Sequence, residues 1–142
     1  MKILFIGDIV GKAGRKAIEG VLEEVVAEHE VDFVIANGEN AAGGMGLTPP
    51  IALEILGEGV DVITSGNHIW AKKEIIPFLE DETRLLRPAN YPAGVPGRGA
   101  GIFRTRNGKK IGVLNLEGMV FMKHLDCPFR VGEKEIERLK QE

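Results

Sequence analysis

Acidic, amide and imidazole side chains follow three short apolar runs of this chain. Asp8 follows the first run, Glu39 the second, and the pair Asn67-His68 the third. Each apolar run is typical of a buried parallel strand, and open α/β sheets bind their ligands beyond the carboxyl ends of such strands. The residue types and their positions therefore predict a polar site at one edge of a sheet.

Metal binding is the chemistry that these side chains favour. Carboxylates, an amide carbonyl and an imidazole are common ligands of divalent cations in proteins. Glu39 lies between two asparagines in a glycine-rich loop, where a glutamate does not help a turn, and bridging two cations would explain its presence. Asn40 could add its side-chain carbonyl oxygen. Segment 7–13 is one residue short of a P-loop, and its glycines are wrongly spaced for a dinucleotide fingerprint.

Each of these residues also has a structural interpretation. Asp8 could cap the helix after it, and the Asn-Gly pair before Glu39 favours a turn. Asn67 could cap a helix that begins with a packed His68. His68 has a stronger case for catalysis than an isolated histidine, because it lies level with the two carboxylates at the predicted strand ends.

Other reactive side chains are assigned no chemistry. His29 is expected at the surface at the far end of the first helix, and His124 is expected to be structural. Cys127 has no activating neighbour in the sequence and is expected to be inert. Arg15 and its neighbouring lysines are interpreted as the solvated start of a helix, although they could also steer an anionic substrate.

Hydrophobic periodicity predicts the elements that position these residues. The first half of the chain is predicted to contain strands at 2–6, 33–36 and 61–64, alternating with helices at about 13–28, 49–56 and 72–80. This βαβαβα order indicates an α/β fold with right-handed crossovers and a parallel sheet covered on both faces.

The pattern changes in the later part of the chain. Segment 87–101 carries three Pro and four Gly and is predicted to be a loop. Segments 102–106 and 109–114 flank Asn107-Gly108, which predicts a β-hairpin with a type I′ turn. The tail, 132–142, is predicted to be a helix with little apolar surface and no strand after it. The fold is therefore expected to be incomplete, the front part of a longer one.

Composition limits the class of protein. The 142 residues are 44% hydrophobic and 27% charged, which is ordinary for one soluble globular domain. The net charge of −3 argues against a general nucleic-acid binder. The single cysteine suits a cytoplasmic protein, and no apolar stretch reaches the roughly 18 residues of a membrane span. No membrane partner is therefore expected.

Four longer motifs occur in order along residues 1–130. They are GDIVG at 7–11, NGENAAGG at 37–44, GNHIW at 66–70 and RPANYP at 87–92. Together they resemble the bacterial YmdB-like branch of the calcineurin-like metallophosphoesterases. The resemblance implies a four-layer α/β sandwich, a centre of two divalent metal ions (Fe, Mn, Zn or Mg), and hydrolysis of phosphodiesters, of which 2′,3′-cyclic nucleotides are the best-known substrates of the branch.

The resemblance also implies a role for each site residue. Asp8 corresponds to a ligand of the first metal, and Glu39 to the carboxylate that bridges both metals. Asn67 corresponds to a ligand of the second metal that also faces the phosphate, with Asn40 as a contact beside it. His68 corresponds to the acid that protonates the leaving oxygen. The implied partner is a small phosphodiester or nucleotide, and an RNA-derived ligand and a homo-oligomer remain open.

The chain departs from the family pattern in several ways. Val10 stands where the wider superfamily usually has His, and Glu39 stands where it has Asp. Ile69 replaces an acidic residue, and Met119 stands where Arg is expected. Family members are also longer, and their later part brings further metal-binding histidines. Residues 1–142 are therefore expected to be the N-terminal part of a single metallophosphoesterase domain, with little activity alone.

Three hypotheses follow. The leading one is a metal-dependent phosphodiesterase, and its discriminating feature is the set of polar residues at the predicted strand ends. The second is a non-catalytic nucleotide-binding or interaction module. The third is an inactive fragment that lacks the later histidine ligands.

Overall fold

The computed structural model describes residues 1–122 and 125–142, and these contain two β-sheets and four α-helices. The strands are β1 (Ile3–Ile6), β2 (Phe33–Asn37), β3 (Val62–Thr64), β4 (Leu85–Leu86), β5 (Ala100–Arg104) and β6 (Lys110–Leu114). The helices are α1 (Gly11–Glu28), α2 (Pro49–Gly57), α3 (Ile75–Asp81) and α4 (Pro128–Leu139), with a short 3₁₀ helix at Asn67–Ala71.

The larger sheet is parallel, with the strands in chain order from β1 to β4. Ile6 pairs with Ala36, which pairs in turn with Ile63, so the first three strands end at nearly the same level. Strands β5 and β6 form a separate antiparallel hairpin. The predicted α/β fold, with a parallel βαβαβα start followed by a hairpin, is confirmed.

The elements stack as a sandwich. Alternate residues of β2 point to opposite faces of the parallel sheet. Val34 and Ala36 lie in a core with α1, α2 and α3, whereas Phe33 and Ile35 lie in a second core with the hairpin. The rings of Phe33 and Phe103 are 6.1 Å apart across that second core. Helix α4 covers the outer face of the hairpin, where Leu139 lies over Gly112.

Strand β1 differs from its prediction. Its unbroken apolar run predicted burial on both faces, but Ile3 is 47% exposed and Phe5 is 60% exposed. The reason is its place at the margin of the sheet, since β1 pairs with β2 on one side only within the described residues. An apolar run in the sequence predicts a strand, but it does not specify whether that strand has one neighbouring strand in the sheet or two.

Other boundaries shift for local reasons. The helix predicted at 72–80 corresponds to α3, which begins later, at Ile75, and a separate 3₁₀ helix precedes it at Asn67–Ala71. Strand β4 lies between the predicted helix at 72–80 and the predicted loop at 87–101, where no element was predicted, because two residues carry no readable periodicity. Helix α4 begins earlier than predicted, because Pro128 suits its first turn. The interpretation of His124 falls outside the described residues.

The predicted hairpin is confirmed, but the prediction of a type I′ turn is wrong. Asn107 lacks the positive φ that such a turn requires, whereas Gly108 has φ +79°. The Gly108 N–H donates to the Thr105 carbonyl at 2.9 Å, as in a type I turn followed by a glycine bulge. The Asn107 amide is held by the Asp32 carboxylate at 2.7 Å, and this tertiary contact was not readable from the Asn-Gly pair.

Replacement of Phe33 by alanine should strongly destabilise the chain. Phe33 is 1% exposed and joins the two sheets, so its loss should lower the free energy of unfolding by about 3–5 kcal/mol. Phe129 is 82% exposed, and Phe129→Ala should change it by at most about 0.5 kcal/mol. Urea denaturation of both variants measures the difference. Equal effects would contradict the assigned packing of the two sheets.

Candidate functional site

Backbone hydrogen bonds hold the loops after the first three strands against one another. The Ile9 N–H donates to the Asn37 carbonyl at 2.9 Å, which joins the loop after β1 to the end of β2. The Gly38 N–H donates to the Thr64 carbonyl at 3.0 Å, which joins the loop after β2 to the end of β3. The predicted polar residues are therefore carried by a connected backbone at one edge of the sheet.

Asn40 links Asp8 to His68. Its side-chain Nδ2 lies 3.0 Å and 2.9 Å from the two carboxylate oxygens of Asp8, and its Oδ1 lies 2.6 Å from Nδ1 of His68. A carboxylate only accepts hydrogen bonds, so the amide nitrogen must face Asp8 and the amide oxygen must face His68. Since that oxygen also only accepts, Nδ1 of His68 carries its hydrogen and Nε2 is left for other partners.

Glu39 approaches the same histidine from the other side. Its Oε2 accepts the backbone N–H of His68 at 3.1 Å and lies 3.9 Å from Nδ1. The Glu39 side chain is only 17% exposed. The backbone N–H of Glu39 donates to Oδ1 of Asn37 at 3.2 Å. Glu39 therefore places a partly buried carboxylate close to the imidazole of His68.

Gly66 makes room for this carboxylate. A Cβ at position 66 would lie 2.7 Å from both carboxylate oxygens of Glu39, closer than side chains tolerate. Gly66 has φ −137°, so glycine is needed here for close approach rather than for an unusual backbone angle. The GNHIW motif thus needs glycine at position 66 because the Glu39 carboxylate occupies the space of a side chain there.

The structure brings four of the five predicted site residues into one chain of contacts. This chain runs from Asp8 through Asn40 to His68 and on to Glu39. Asn67 precedes His68 at the start of the 3₁₀ helix, and its side chain is exposed. The roles that the sequence assigned to these five residues stay predictions.

Two asparagines that sequence reasoning did not select, Asn90 and the partly buried Asn115, organise the surroundings. Asn115 donates to the carbonyls of Ser65 and Leu86, at 2.6 Å and 3.0 Å, next to the turn that carries His68. Asn90 is fully buried, donates to the carbonyls of Glu117 and Asp126, and accepts the Glu117 N–H at 2.9 Å. The RPANYP motif contains Asn90, but only the fold shows which distant backbone groups it satisfies.

The two arginines near these loops have structural partners. Arg15 donates to the Ala41 carbonyl at 2.7 Å and to the Glu54 carboxylate at 2.8 Å, so its interpretation as part of a solvated helix start is wrong. Arg87 is 9% exposed and donates to three backbone carbonyls of the proline-rich loop. Burial lowers the pKa of the Arg87 guanidinium. Both cations are engaged within the protein.

An aromatic pair lies next to the 3₁₀ helix. The rings of Trp70 and Tyr91 meet edge to face with centroids 5.4 Å apart, which ties the RPANYP loop to the turn carrying His68. Burial raises the pKa of the Tyr91 phenol. The nearby carboxylates of Glu117 and Glu39 add to it. Tyr91 is therefore a neutral phenol at ordinary pH. Its interactions are those of a hydroxyl group and an aromatic ring, not those of a phenolate anion.

The donor atoms of the site suit a hard divalent cation in kind but not in number. The side chains of Asp8, Glu39 and the two site asparagines offer oxygen, the ligand of Mg²⁺, Mn²⁺ and Ca²⁺. Within residues 1–122 and 125–142, no three His, Cys, Asp or Glu side chains converge as a metal-binding group. Two ions would need about eight to twelve ligand positions in total, more than these side chains supply.

Comparison with known proteins places the chain in a family. Its sequence matches the family model described as YmdB-like protein over residues 4–142. The chain belongs to the YmdB-like family. It is 46% identical, over 129 residues, to the 2′,3′-cyclic-nucleotide 2′-phosphodiesterase of Bacillus subtilis (strain 168). The resemblance stated from four motifs is therefore confirmed.

Two solved structures share the fold. A hypothetical protein from Thermus thermophilus superimposes with a TM-score of 0.89 at 39% identity, over 96% of this chain. A novel phosphatase from Mycoplasma pneumoniae superimposes with a TM-score of 0.88 at 31% identity, over 97% of this chain.

The chain spans about half the length of these relatives. The match covers 48% of the Bacillus subtilis protein, and 53% and 51% of the two solved chains. In the described part of the chain, no helix is long and apolar enough to cross a membrane. The predicted cytoplasmic location stays a prediction.

Replacement of Gly66 by alanine should displace Glu39. The added methyl group collides with the carboxylate, so the bond from the His68 N–H should break, with a loss of about 1–3 kcal/mol in the free energy of unfolding. Hydrogen exchange of the His68 amide, followed by NMR, should become faster. Gly7→Ala is the control, because a Cβ at position 7 has no neighbour within 4 Å. Unchanged His68 exchange in Gly66→Ala would contradict this role.

Proposed function

We propose that this YmdB-like chain is the N-terminal part of a single metallophosphoesterase domain that hydrolyses phosphodiesters. The observation that carries the proposal is the chain of contacts from Asp8 through Asn40 to His68 and Glu39 at the strand ends. The Bacillus subtilis relative carries the name of a 2′,3′-cyclic-nucleotide 2′-phosphodiesterase, and this supports cyclic nucleotides as the substrate class. An RNA-derived ligand with the same terminal group belongs to that class.

Membership of a metallophosphoesterase family implies dependence on divalent metal ions. Asp8, Glu39, Asn40 and Asn67 are the residues of this chain that would hold them, with Glu39 as the bridging carboxylate. When bound, such ions would polarise the phosphate and supply a hydroxide nucleophile at neutral pH. We propose two ions, which would require ligands beyond those of the described residues. The candidate ions are Fe, Mn, Zn and Mg.

His68 is proposed as the general acid. The Asn40 carbonyl holds Nδ1, so the proton available for transfer resides on Nε2 of the imidazolium. The partly buried Glu39 carboxylate lies 3.9 Å from Nδ1 of the same ring. Donation of the Nε2 proton to the departing oxygen would prevent an unstable alkoxide from forming and would leave a neutral imidazole.

The exposed amide of Asn67 is proposed to bind the substrate. It lies at the surface next to His68, where it could donate a hydrogen bond to a non-bridging phosphate oxygen. Its position at the start of a rigid 3₁₀ helix would fix the phosphate relative to Nε2 of the histidine.

A non-catalytic nucleotide-binding module is the second candidate. It is favoured by the small number of charged metal ligands among the described residues. Removal of His68 distinguishes the two functions. An enzyme would lose turnover, whereas a binding module has no turnover and would keep its affinity for the nucleotide.

Glu39→Gln should weaken metal binding. The substitution keeps the size of the side chain and removes one negative charge. Mn²⁺ affinity should therefore fall by at least about tenfold, because even residues that only contact a metal ligand usually change metal affinity by that factor. Calorimetric titration of the 142-residue chain with Mn²⁺ measures this. Glu137→Gln is the matched control, since Glu137 is an exposed residue of α4 that pairs with Lys140. Equal Mn²⁺ affinity in Glu39→Gln and the parent would remove Glu39 from the proposed metal site.

His68→Ala should slow turnover and spare metal binding. The assay uses a chimera in which this chain is fused to the part of the Bacillus subtilis relative that it does not match. Hydrolysis of a 2′,3′-cyclic nucleotide should fall by about 10²- to 10⁴-fold, the usual contribution of general acid catalysis. His29→Ala is the control, because His29 is exposed at the end of α1. A chimera that binds Mn²⁺ and turns over normally without His68 would refute its role as the acid.

A further inference from the structure

Phe121 has a backbone conformation that is unfavourable for a bulky side chain. The Met122 N–H donates to the Met119 carbonyl at 3.2 Å, which closes a β-turn with Val120 and Phe121 at its centre. Phe121 has φ +61° and Val120 has no positive φ, as in a type II turn. Glycine is the usual residue at the second central position of such a turn, because a side chain there is strained. The turn therefore carries a phenylalanine where glycine would fit better.

Packing does not compensate for this strain. In the described part of the chain, Phe121 is fully exposed and Val120 is 79% exposed. A ring in solvent at the tip of a turn contributes nothing to the hydrophobic cores of the two sheets. Strained residues cluster at ligand-binding sites, where the surrounding structure maintains them for function. The combination of strain and exposure therefore indicates a ring that is held out for a ligand.

Asn90 anchors the chain on both sides of this turn. Its side chain accepts the Glu117 N–H at 2.9 Å and donates to the Glu117 carbonyl at 2.9 Å. It also donates to the Asp126 carbonyl at 3.1 Å, and its own carbonyl accepts the Asp126 N–H at 3.0 Å. Phe121 is four residues past Glu117, a span of at most about 14 Å in extended chain. The turn therefore stays close to this buried anchor.

The same anchor adjoins the candidate site. Tyr91 follows Asn90 in the RPANYP motif, and its ring meets that of Trp70, two residues after His68. Tyr91 also lies near enough to Glu39 for that carboxylate to raise the pKa of its phenol. The strained turn is thus connected, through two neighbouring residues, to the 3₁₀ helix that carries His68.

We propose that Phe121 stacks against the base of the nucleotide whose phosphate group occupies the candidate site. This inference rests on the proposed function and adds a base-binding contact to it. Aromatic side chains stack on bases of any identity, because every base has a π face. One exposed ring suits one base, whereas each partner of a stable protein complex buries about 800 Å², more than a four-residue turn offers. The strained φ would fix the ring before the ligand arrives, which reduces the entropy cost of binding.

Phe121→Gly distinguishes a binding role from a structural one. Glycine adopts positive φ without strain, so the Tm of the 142-residue chain should rise by about 2–4 °C. Phe129→Gly is the control, because Phe129 is similarly exposed but lies in helix α4, where glycine should not raise the Tm. A lower Tm for Phe121→Gly would show that the ring supports the fold and would contradict the proposal.

Nucleotide binding is measured by calorimetry in the chimera described above, with Mn²⁺ present. Phe121→Gly should weaken the affinity for adenosine 2′,3′-cyclic phosphate by about 5- to 100-fold, the usual contribution of one stacked base. The affinity for ribose 2′,3′-cyclic phosphate, which has no base, should stay the same. KM for the adenosine compound should rise at constant kcat, because the lost contact is made equally in the ground state and the transition state. Phe129→Gly should change none of these values.

The outcomes separate this inference from the proposed function. Equal losses of affinity for both ligands in Phe121→Gly, or no loss for either, would refute the base contact. Base-dependent binding without turnover in the parent chimera would refute the phosphodiesterase activity and support the base contact. Turnover with an unchanged KM in Phe121→Gly would do the reverse. Light scattering of the 142-residue chain adds a further test, since a dimer that Phe121→Gly dissociates would make a second copy the occupant of the turn and overturn the proposal.

Discussion

The parallel pairing of β1, β2 and β3 is the constraint on which the candidate site depends. Parallel strands run in the same direction, so their carboxyl ends and the loops after them meet at one edge. The register from Ile6 through Ala36 to Ile63 brings these ends nearly level. The bonds from Ile9 to Asn37 and from Gly38 to Thr64 then remove most of the remaining freedom of the loops. A slip of one residue would turn alternate side chains to the wrong face and separate Asp8 from Asn40.

Hydrogen bonds from asparagine side chains hold together the segments around this edge. Asn40, Asn90 and Asn115 each join backbone or side-chain groups that are far apart in the sequence. An amide carries both donors and an acceptor without charge, so it can satisfy several buried partners at a small desolvation cost. Asn40 also fixes which nitrogen of His68 carries hydrogen, and this is the detail on which its proposed chemistry depends.

The open margin of the sheet and the small set of metal donors are related features of this YmdB-like chain. Asp8 follows strand β1, which is paired on one side only within the described residues, and Asp8 is itself exposed. The cores under α2 and α3 and between the two sheets are closed by comparison, with Phe33, Ile63 and Leu85 almost fully buried. The apolar surface that is buried therefore lies mainly at the centre of the sandwich, whereas Ile3 and Phe5 of β1 stay exposed at its margin.

The sequence by itself determined the order of the elements, the hairpin and the positions of the polar residues after the strands. Apolar runs, helical periodicity and glycine-rich loops are local signals, and they survive in any tertiary setting that keeps these elements. The four-motif resemblance added the family, because the order and spacing of motifs are also properties of the sequence. The tertiary structure alone decided that Phe5 is exposed, that Arg15 is bonded to Ala41 and Glu54, and that Gly66 makes room for Glu39. These facts depend on which distant segment lies against each residue, and a distance between segments is not encoded in local periodicity.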